Sequence, residues 1–483
     1  MVSFRPNRLR AHFICTSCCP VMARYVVGAH SLNYVSAPSK QWNLGVFMNE
    51  FQISISSLTA EEINFELVNV DCTFANAIRR IINDEVPSIA IERVYMRQNT
   101  SIIPDEMFAH RLGLVPLNVD PDQLAFCTSG LPETDDLNEF DPKCHLIFDI
   151  KISGQPHNPR SSGDDENSSI HIYSSCLQWV PLPGQEEIFT GSKKPGAVFD
   201  TILLGKLNPE DEITARCVAV KGVGMDHAKF SPASAAFYSL FPSIKLKGVI
   251  RGELAFNLQK SFAKGVIEVD PQTQIASVGD SRLDDGSRQY LRDPELKEIV
   301  EVSLLPNHLL FTVETSTPGA RLPESIVMSA IDIMISKCTY YLTIVEQPDF
   351  AVTPLTHPNF DIYSADQDKN SSSSTLNGRP AGVYAKFVSN NLLRATFVFK
   401  GEDHTLGAAL KYCVLRSETV RLCGYNQAHP LENEIYFEIQ SKQETAATVL
   451  RNGLYCLRAC FEHVKRKLRS SLKKIQRQST SSE

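Results

Sequence analysis

The sequence predicts an α+β protein built from two similar units, the first of which is interrupted by an inserted α+β domain. Three observations lead to this prediction. Residues 69–82 and 401–414 form an internal repeat without gaps. In both copies a strand-like run precedes an amphipathic helix, and a second strand and a longer helix follow. The first copy has more than 200 residues between its first helix and second strand, whereas the second copy has about 20.

The repeat pairs NVDCTFANAIRRII with GEDHTLGAALKYCV at an offset of 332 residues. Repeats of this kind indicate duplicated structural units that bury their apolar faces on one another. The matched pairs are Asp71 with Asp403, Thr73 with Thr405, Phe74 with Leu406, Ala77 with Ala409, Ile78 with Leu410, and Arg79 with Lys411.

The repeat predicts one helix in each copy, over 73–86 and 404–417. Asp71 or Thr73 can cap the first helix, and Pro87 ends it. The apolar residues that recur at helical spacing are Phe74, Ala77, Ile78, Ile81 and Ile82 in the first copy, and Leu406, Ala409, Leu410, Cys413 and Val414 in the second.

The remaining elements follow the same order in both copies. Residues 63–68 and 395–399 predict the strand before each helix, and 309–315 and 435–440 predict the strand after it. Pro323 suits the first position of a long helix that runs to Glu346. The last helix carries an apolar stripe suited to packing against another helix; its residues are Leu450, Leu454, Leu457, Phe461, Val464 and Leu468.

Length and charge limit the classes of function. The chain of 483 residues is long enough for about three domains. Its net charge of −7 is uneven, because residues 50–392 carry −18 and both ends are basic. An acidic body argues against a groove for duplex DNA and favours protein partners. No apolar run reaches the length of a membrane span, and scattered cysteines are typical of a reduced intracellular protein.

At these residues the chain resembles a known family. The first half resembles the larger alpha-like subunit shared by RNA polymerases I and III, in the stretches NVDCTFANAIRRIINDEVPSIAIERV, NTSIIPDEMFAHRLGLVPL, VKGVGMDHAKFSP and GVIEV. The second half is similar to the smaller alpha-like subunit, in GEDHTLGAALKY and CGYNQAHPLENEIYFEIQ. The resemblance covers roughly 60–347 and 393–470, and separate chains are the family's usual arrangement.

The resemblance implies a non-catalytic scaffold for rRNA and small-RNA transcription. The two alpha-like halves would pair and carry the large catalytic subunits and the small zinc-binding subunits of both polymerases. DNA would be contacted only through the complex, and no membrane is implied. The implied location is the nucleus, in nucleolus and nucleoplasm. We expect no catalytic residue, no cofactor and no metal.

The resemblance also assigns site residues. Arg79 and Arg80 would reach the large subunits. The loop Lys221–Pro232 would dock the small subunits, through Lys221, Gly222, Gly224, His227 and Lys229. The expected dimer interface comprises Phe74, Ala77, Ile78, Ile81, Leu406, Ala409, Leu410, Cys413, Leu454, Leu457 and Phe461.

The expected domain organisation has six segments. A polar, turn-rich joint of 45 residues would span roughly 35–40 Å, enough for the halves to pair within one chain; exchange between chains would give the same contacts. Cleavage after synthesis also stays open, and so does a mis-joined gene model, in which two separate genes were wrongly read as one. The segments are a disordered or processed extension over 1–49, the first alpha-like domain over 50–88 and 236–347, the inserted domain over 89–235, a flexible linker over 348–392, the second alpha-like domain over 393–470, and a basic, polar tail over 471–483.

The alternative hypotheses for the function of the chain rest on weaker sequence patterns. Seven basic residues over 465–477 and the basic start suit a nucleic-acid-binding protein, and the start also resembles a transit peptide. The run 221–227 resembles a phosphate loop but lacks the Gly-Lys-Ser/Thr ending. A self-contained enzyme could bind a catalytic metal ion through the acidic and amide side chains of the joint, Asn359, Asp361, Asp366 and Asp368. Their setting suits a solvated loop better, and the same holds for Asp164, Asp165 and Glu166. The one close cysteine cluster, of Cys15, Cys18 and Cys19, is a weak metal signal. The cysteines of the inserted domain lack the spacing of a metal site; they are Cys127, Cys144, Cys176 and Cys217.

Overall fold

The computed structural model describes most of the chain in ten stretches. They are residues 23–29, 31–36, 42–127, 130–154, 170–189, 194–347, 375–376, 379–380, 382–387 and 392–480. The chain divides into two compact units, Met1–Gln41 with Ser239–Leu309, and Trp42–Tyr238 with Leu310–Glu483.

The strands of these stretches, in chain order, are β1 (Arg24–Val27), β2 (Leu32–Val35), β3 (Gln52–Leu58), β4 (Glu62–Val68), β5 (Pro87–Asn99), β6 (His145–Ser153), β7 (Ile170–Tyr173), β8 (Gln178–Val180), β9 (Leu203–Leu207), β10 (Glu212–Val223), β11 (Ala233–Leu246), β12 (Ile267–Val269), β13 (Ala276–Val278), β14 (Val300–Thr315), β15 (Thr375–Leu376), β16 (Arg379–Pro380), β17 (Gly382–Phe387), β18 (Arg394–Lys400), β19 (Val420–Asn426) and β20 (Glu434–Ser441).

The helices are α1 (Leu44–Glu50), α2 (Cys72–Asp84), α3 (Asp105–Gly113), α4 (Gln185–Ile188), α5 (Glu253–Ser261), α6 (Pro294–Ile299), α7 (Pro323–Val345), α8 (His404–Leu415) and α9 (Ala446–Thr480). Within the described stretches, none of these helices combines the length and the apolar character that crossing a bilayer requires.

The first unit is a small α+β body. Strands β1 and β2 form a hairpin in which Tyr25 pairs with Tyr34, and β1 also pairs with the start of β14 through Leu304. Helices α5 and α6 and the hairpin β12–β13 surround an apolar core that contains the buried Phe262 and Tyr290 rings, stacked 5.3 Å apart.

The second unit contains the inserted domain. Its main sheet has the order β5-β10-β6-β8, with antiparallel pairs throughout. Helix α3 packs on β5, and the pair β7–β9 extends the layer. Buried residues of these strands and of α3 form one apolar core, which contains Phe108, Phe148 and Cys217.

The first repeat consists of β3, β4, α2, the part of β14 from Leu310, and α7. Strand β4 lies between β3 and β14, and the Phe65 and Phe311 rings stack 4.9 Å apart. Asp71 caps α2 by accepting a hydrogen bond from the Thr73 amide at 2.9 Å. Pro323 occupies the first turn of α7, as predicted.

The second repeat has the same order in β17, β18, α8, β20 and α9, with the sheet order β17-β18-β20-β19. Asp403 caps α8 by accepting a hydrogen bond from the Thr405 amide at 2.8 Å. The turn before each helix has a left-handed residue at the same repeat position, Asn69 with φ 59° and Gly401 with φ 76°. The structure confirms the α+β class and the repeated unit.

The structure differs from the expected segments at several boundaries. Helix α1 and the hairpin β1–β2 lie within 1–49, where an unstructured extension was expected, because partners distant in sequence supply their packing. Strand β17 lies within the expected linker; its apolar run is short and its flanks are polar, which hides it. The tail over 471–483 continues α9 to Thr480, since no Gly or Pro ends the helix. Residues 236–347 do not form one piece, because 239–309 belong to the first unit.

Candidate functional site

The two repeats meet through their first helices, which pack antiparallel to each other. Arg80, near the end of α2, lies at the start of α8. Phe74, near the start of α2, contacts Tyr412, near the end of α8, with ring centroids 5.3 Å apart. Arg80 and Tyr412 occupy the same position in the repeat, so the contact has an approximate two-fold relation.

Arg80 connects the repeats by polar contacts. Its Nε donates to Thr405 Oγ1 at 2.8 Å, and its Nη2 lies 2.5 Å from Asp403 Oδ2. Burial alone raises the pKa of Asp403, but hydrogen bonds from Thr405 and the charge of Arg80 outweigh it and hold the pKa below its usual value. One carboxylate therefore caps α8 and anchors α2.

The opposite end of the α2–α8 contact is aromatic. Phe74 lies 5.7 Å from Phe461 of α9 and 5.8 Å from Phe47 of α1, measured between ring centroids. Trp42 meets Tyr412 edge-on at 5.6 Å. Offset and edge-on aromatic pairs add stability beyond the area that they bury. Helix α1 thus contributes to the junction of the repeats.

The long helices α7 and α9 form the second layer of the contact. The six residues of the predicted α9 stripe are all buried, from Leu450 to Leu468. Polar pairs flank this stripe, since Lys465 binds Asp332 and Tyr455 donates to Glu346. Each long helix also packs on the first strand of the other repeat, α7 on β17 and α9 on β3.

A buried polar network lies inside this contact. Lys337 Nζ lies 2.8 Å from Glu85 and 2.8 Å from Glu402, and the Tyr341 hydroxyl donates to Glu402 at 2.9 Å. The side chain of Glu402 is 2% exposed and that of Lys337 7%. Glu85 and Lys337 come from the first repeat and Glu402 from the second, so one ammonium group links both halves.

The network perturbs the pKa of its members. Burial raises the pKa of Glu402 to about 7, even though Lys337 acts in the opposite direction. Burial on its own would lower the pKa of Lys337, but the carboxylates of Glu402 and Glu85 outweigh that effect and raise it. Lys337 therefore keeps its positive charge, and both carboxyl groups interact with that charge.

The eleven residues expected at the dimer interface are all buried. They lie on α2, α8 and α9, the helices that pack together at the junction. Arg79 and Arg80 are separated in role, because both bonds of Arg79 go to Asn76 on its own helix, whereas Arg80 is engaged by the second repeat. Arg80 binds the second repeat within the chain, and its side chain remains 28% exposed.

The loop Lys221–Pro232 packs at the end of α2. Met225 donates its amide to the Asp84 carbonyl at 2.9 Å, and a Cβ on Gly224 would lie 1.9 Å from Asn83 O. Only glycine permits this approach. Lys221 Nζ donates to Leu124 O at 3.1 Å.

The rest of the loop is held by the inserted domain. Lys229 donates to Ile91 O at 2.9 Å and pairs with Glu92. The ring of Phe230 packs where a Cβ on Gly222 would lie. His227 Nδ1 accepts the Lys229 amide at 3.1 Å, and residues 225–228 are exposed.

Sequence reasoning missed Lys337, Glu402, Trp42 and Phe47. Lys337 interrupts an apolar helix, and a charge in such a position signals a buried partner. The run WNLGVF has the aromatic spacing of a packed turn, with Asn43 as cap. Glu402 gave no signal, because its repeat counterpart is the apolar Val70.

The other candidate residues fall into three groups. Cys217 lies in the core of the inserted domain, and Cys176 packs against that core. Cys127 Sγ lies 3.4 Å from His145 Nε2, and Cys144 interacts with Cys127, so two cysteines distant in sequence are neighbours. Cys15, Cys18 and Cys19, the Asp164–Glu166 run, and Asn359, Asp361, Asp366 and Asp368 lie outside the described residues.

Comparison with known proteins fits this architecture. The yeast Saccharomyces cerevisiae protein DNA-directed RNA polymerases I and III subunit RPAC1 is 41% identical over 302 residues, which are 62% of this chain and 89% of that protein. The human RPAC1 is 34% identical over 306 residues, 62% of this chain and 86% of that protein. Subunit RPB3 of RNA polymerase II from Schizosaccharomyces pombe is 33% identical over 206 residues, 41% of this chain and 63% of that protein.

Two segments match one domain family. Residues 64–338 match the RNA polymerase Rpb3/Rpb11 dimerisation domain, and residues 394–467 match a dimerisation domain of the same description. The first match covers more than half of the chain, and the two matches coincide with the two repeats. The chain therefore belongs to the Rpb3/Rpb11 dimerisation-domain family of RNA polymerase subunits and contains two such domains.

Proposed function

We propose that this chain is a non-catalytic assembly subunit of nuclear RNA polymerases I and III, in which both alpha-like halves are fused. The paired repeats carry the proposal, since α2, α7, α8 and α9 bury a continuous contact between two dimerisation domains. The RPAC1 proteins of polymerases I and III match 62% of the chain at 34% and 41% identity, whereas RPB3 of polymerase II matches 41% of the chain at 33%, which supports that branch. Catalysis would reside in the other chains of the complex.

We assign partner surfaces to the parts of the site that are at least partly exposed. Arg79 lies on α2 without a bond to the second repeat, so it is the better candidate for contact with a large catalytic subunit. The exposed tip over 225–228 is anchored on α2 and the inserted domain, which suits a docking loop for a small zinc-binding subunit. Location in nucleolus and nucleoplasm follows from membership of polymerases I and III.

Affinity purification through a C-terminal tag tests the proposal. We expect a tagged band near 53.8 kDa together with the large subunits of both polymerases. A smaller tagged band with the same partners would keep the scaffold function and reject the fusion. Recovery of nucleic acid without any polymerase subunit would reject the proposal in favour of a nucleic-acid-binding role for the basic helix α9.

Substitution at the loop tip separates the partner surfaces. His227→Ala alters an exposed residue, and Arg79→Ala alters a half-buried residue of α2. We expect the first to reduce recovery of the small zinc-binding subunits and the second to reduce recovery of a large subunit. Lys473→Ala, on the exposed face of α9, is the matched control and should change neither.

A further inference from the structure

A cluster of three cysteines lies between α8 and α9, away from the polar network. The sulfur atoms of Cys413, Cys456 and Cys460 all lie within 4.8 Å of one another. Cys456 and Cys460 are one helical turn apart and share a face of α9, while Cys413 faces them from the last turn of α8. Cys413 and Cys460 are buried, and Cys456 is partly exposed.

The close approach of the two helices is built into the sequence. One turn before Cys456, a Cβ on Gly453 would lie 2.4 Å from Val414 Cγ2. A glycine at this point lets α9 approach α8 closely, and the approach brings Cys413 to the other two sulfurs.

Sulfur donors without oxygen or nitrogen select soft metal cations, above all Cu(I) and Zn(II). Three sulfurs at this separation can converge on one ion at metal–sulfur distances of about 2.3 Å with small side-chain rotations. The partly exposed Cys456 side gives an ion a path from solvent. Because Zn(II) is almost always four-coordinate in such sites, a water molecule would have to supply the fourth ligand.

We propose that Cys413, Cys456 and Cys460 form a binding site for one soft metal cation of the Cu(I) or Zn(II) class. Binding would release the thiol protons to solvent and fix α8 on α9 through metal–sulfur bonds. The site would be structural, and it departs from the expectation of a metal-free chain. It does not depend on the function proposed above.

The test uses the full chain, purified with reductant and without oxygen, and loaded separately with Zn(II) and with Cu(I). After desalting, elemental analysis counts the retained ion, and X-ray absorption counts its sulfur neighbours. We expect one retained ion with three sulfur neighbours. Retention of Zn(II) alone or of Cu(I) alone would identify the ion within the proposed class.

Two variants decide between this site and other cysteines. Cys456→Ser alters the most exposed ligand and should weaken binding at least about tenfold. Cys423→Ser alters a buried cysteine of β19 outside the cluster and should bind as the unmodified chain does. Thermal unfolding without metal shows whether each variant is folded.

Three results would overturn the proposal. The reduced chain could retain no ion, or the folded Cys456→Ser variant could retain as much metal as the unmodified chain. The third is a loss of metal binding in Cys423→Ser that is as large as the loss in Cys456→Ser. If Cys456→Ser is unfolded, the metal–sulfur count in the unmodified chain decides, and fewer than three sulfur neighbours rejects the site.

Discussion

Lys337 shows how one side chain can make two repeats depend on each other. A buried ammonium group is costly unless it is paired, and the cost of breaking a buried pair exceeds the gain from forming it. Its two carboxylate partners come from different repeats. The second repeat alone would leave Glu402 without its cation, and the first repeat alone would keep only the Lys337–Glu85 pair, so the full network forms only when the repeats are paired.

Replacing Lys337 should therefore destabilise the chain strongly. Lys337→Met leaves Glu85 and Glu402 buried without their cation, and we expect a loss of about 3–5 kcal/mol in the free energy of unfolding. Urea unfolding followed by circular dichroism measures it. Lys473→Met, on the exposed face of α9, should cost less than about 0.5 kcal/mol. Equal effects of the two changes would contradict a special role for the network.

Glu402 makes the same site sensitive to pH. Its pKa is about 7 in the folded chain against an ordinary 4.5, so the folded state keeps a proton that the unfolded state loses. The stabilisation is full below pH 4.5 and disappears as the pH rises through 7. Glu402→Gln should remove this dependence, which denaturation at a series of pH values would detect. Glu432→Gln, at an exposed carboxyl, should preserve it.

At the scale of the helix, α2 carries two adjacent arginines with different tasks. Arg80→Ala removes charged hydrogen bonds to Asp403 and Thr405, and we expect a loss of about 1.5–3 kcal/mol. Arg79→Ala removes only bonds within α2 and should cost about 0.5 kcal/mol or less. Chemical denaturation of both variants gives the comparison. A larger loss for Arg79→Ala would reject the assignment of Arg80 to the contact between repeats.

The turn at the end of α2 gives a second prediction at this scale. Gly224→Ala places a methyl group against the Asn83 carbonyl, and the backbone must move. We expect a loss of roughly 1–3 kcal/mol, measured as a fall in the thermal midpoint. Gly424→Ala, where a Cβ meets no atom within 4 Å, is the control. An unchanged midpoint for Gly224→Ala would show that the turn adapts freely.

At the scale of the whole molecule, the pairing of repeats should survive the loss of their connection. A protease site inserted within residues 351–374 allows the folded chain to be cut. Because the repeats bury apolar helices and a charged network in each other, the two fragments should elute together in gel filtration and separate only in denaturant. Fragments that separate in native buffer would show that the linker, and not the contact, holds the halves.

The amino-acid sequence by itself determined the elements that depend on local pattern. The duplicated helices, their aspartate caps, the proline at the start of α7 and the apolar stripe of α9 all follow from spacing and side-chain chemistry within one segment. The resemblance to alpha-like subunits rests on the same segments. These features were sufficient to predict the α+β class and the two dimerisation domains.

Only the tertiary structure decided the features that join distant residues. Glu402 meets Lys337 across 65 positions and Arg80 meets Asp403 across 323, and no local pattern encodes such pairs. Strand β17 and helix α1 are short, so their stability comes from packing partners elsewhere in the chain. The cysteine cluster likewise arises because Gly453 lets α9 approach α8, which brings Cys413 to a helix more than 30 residues away.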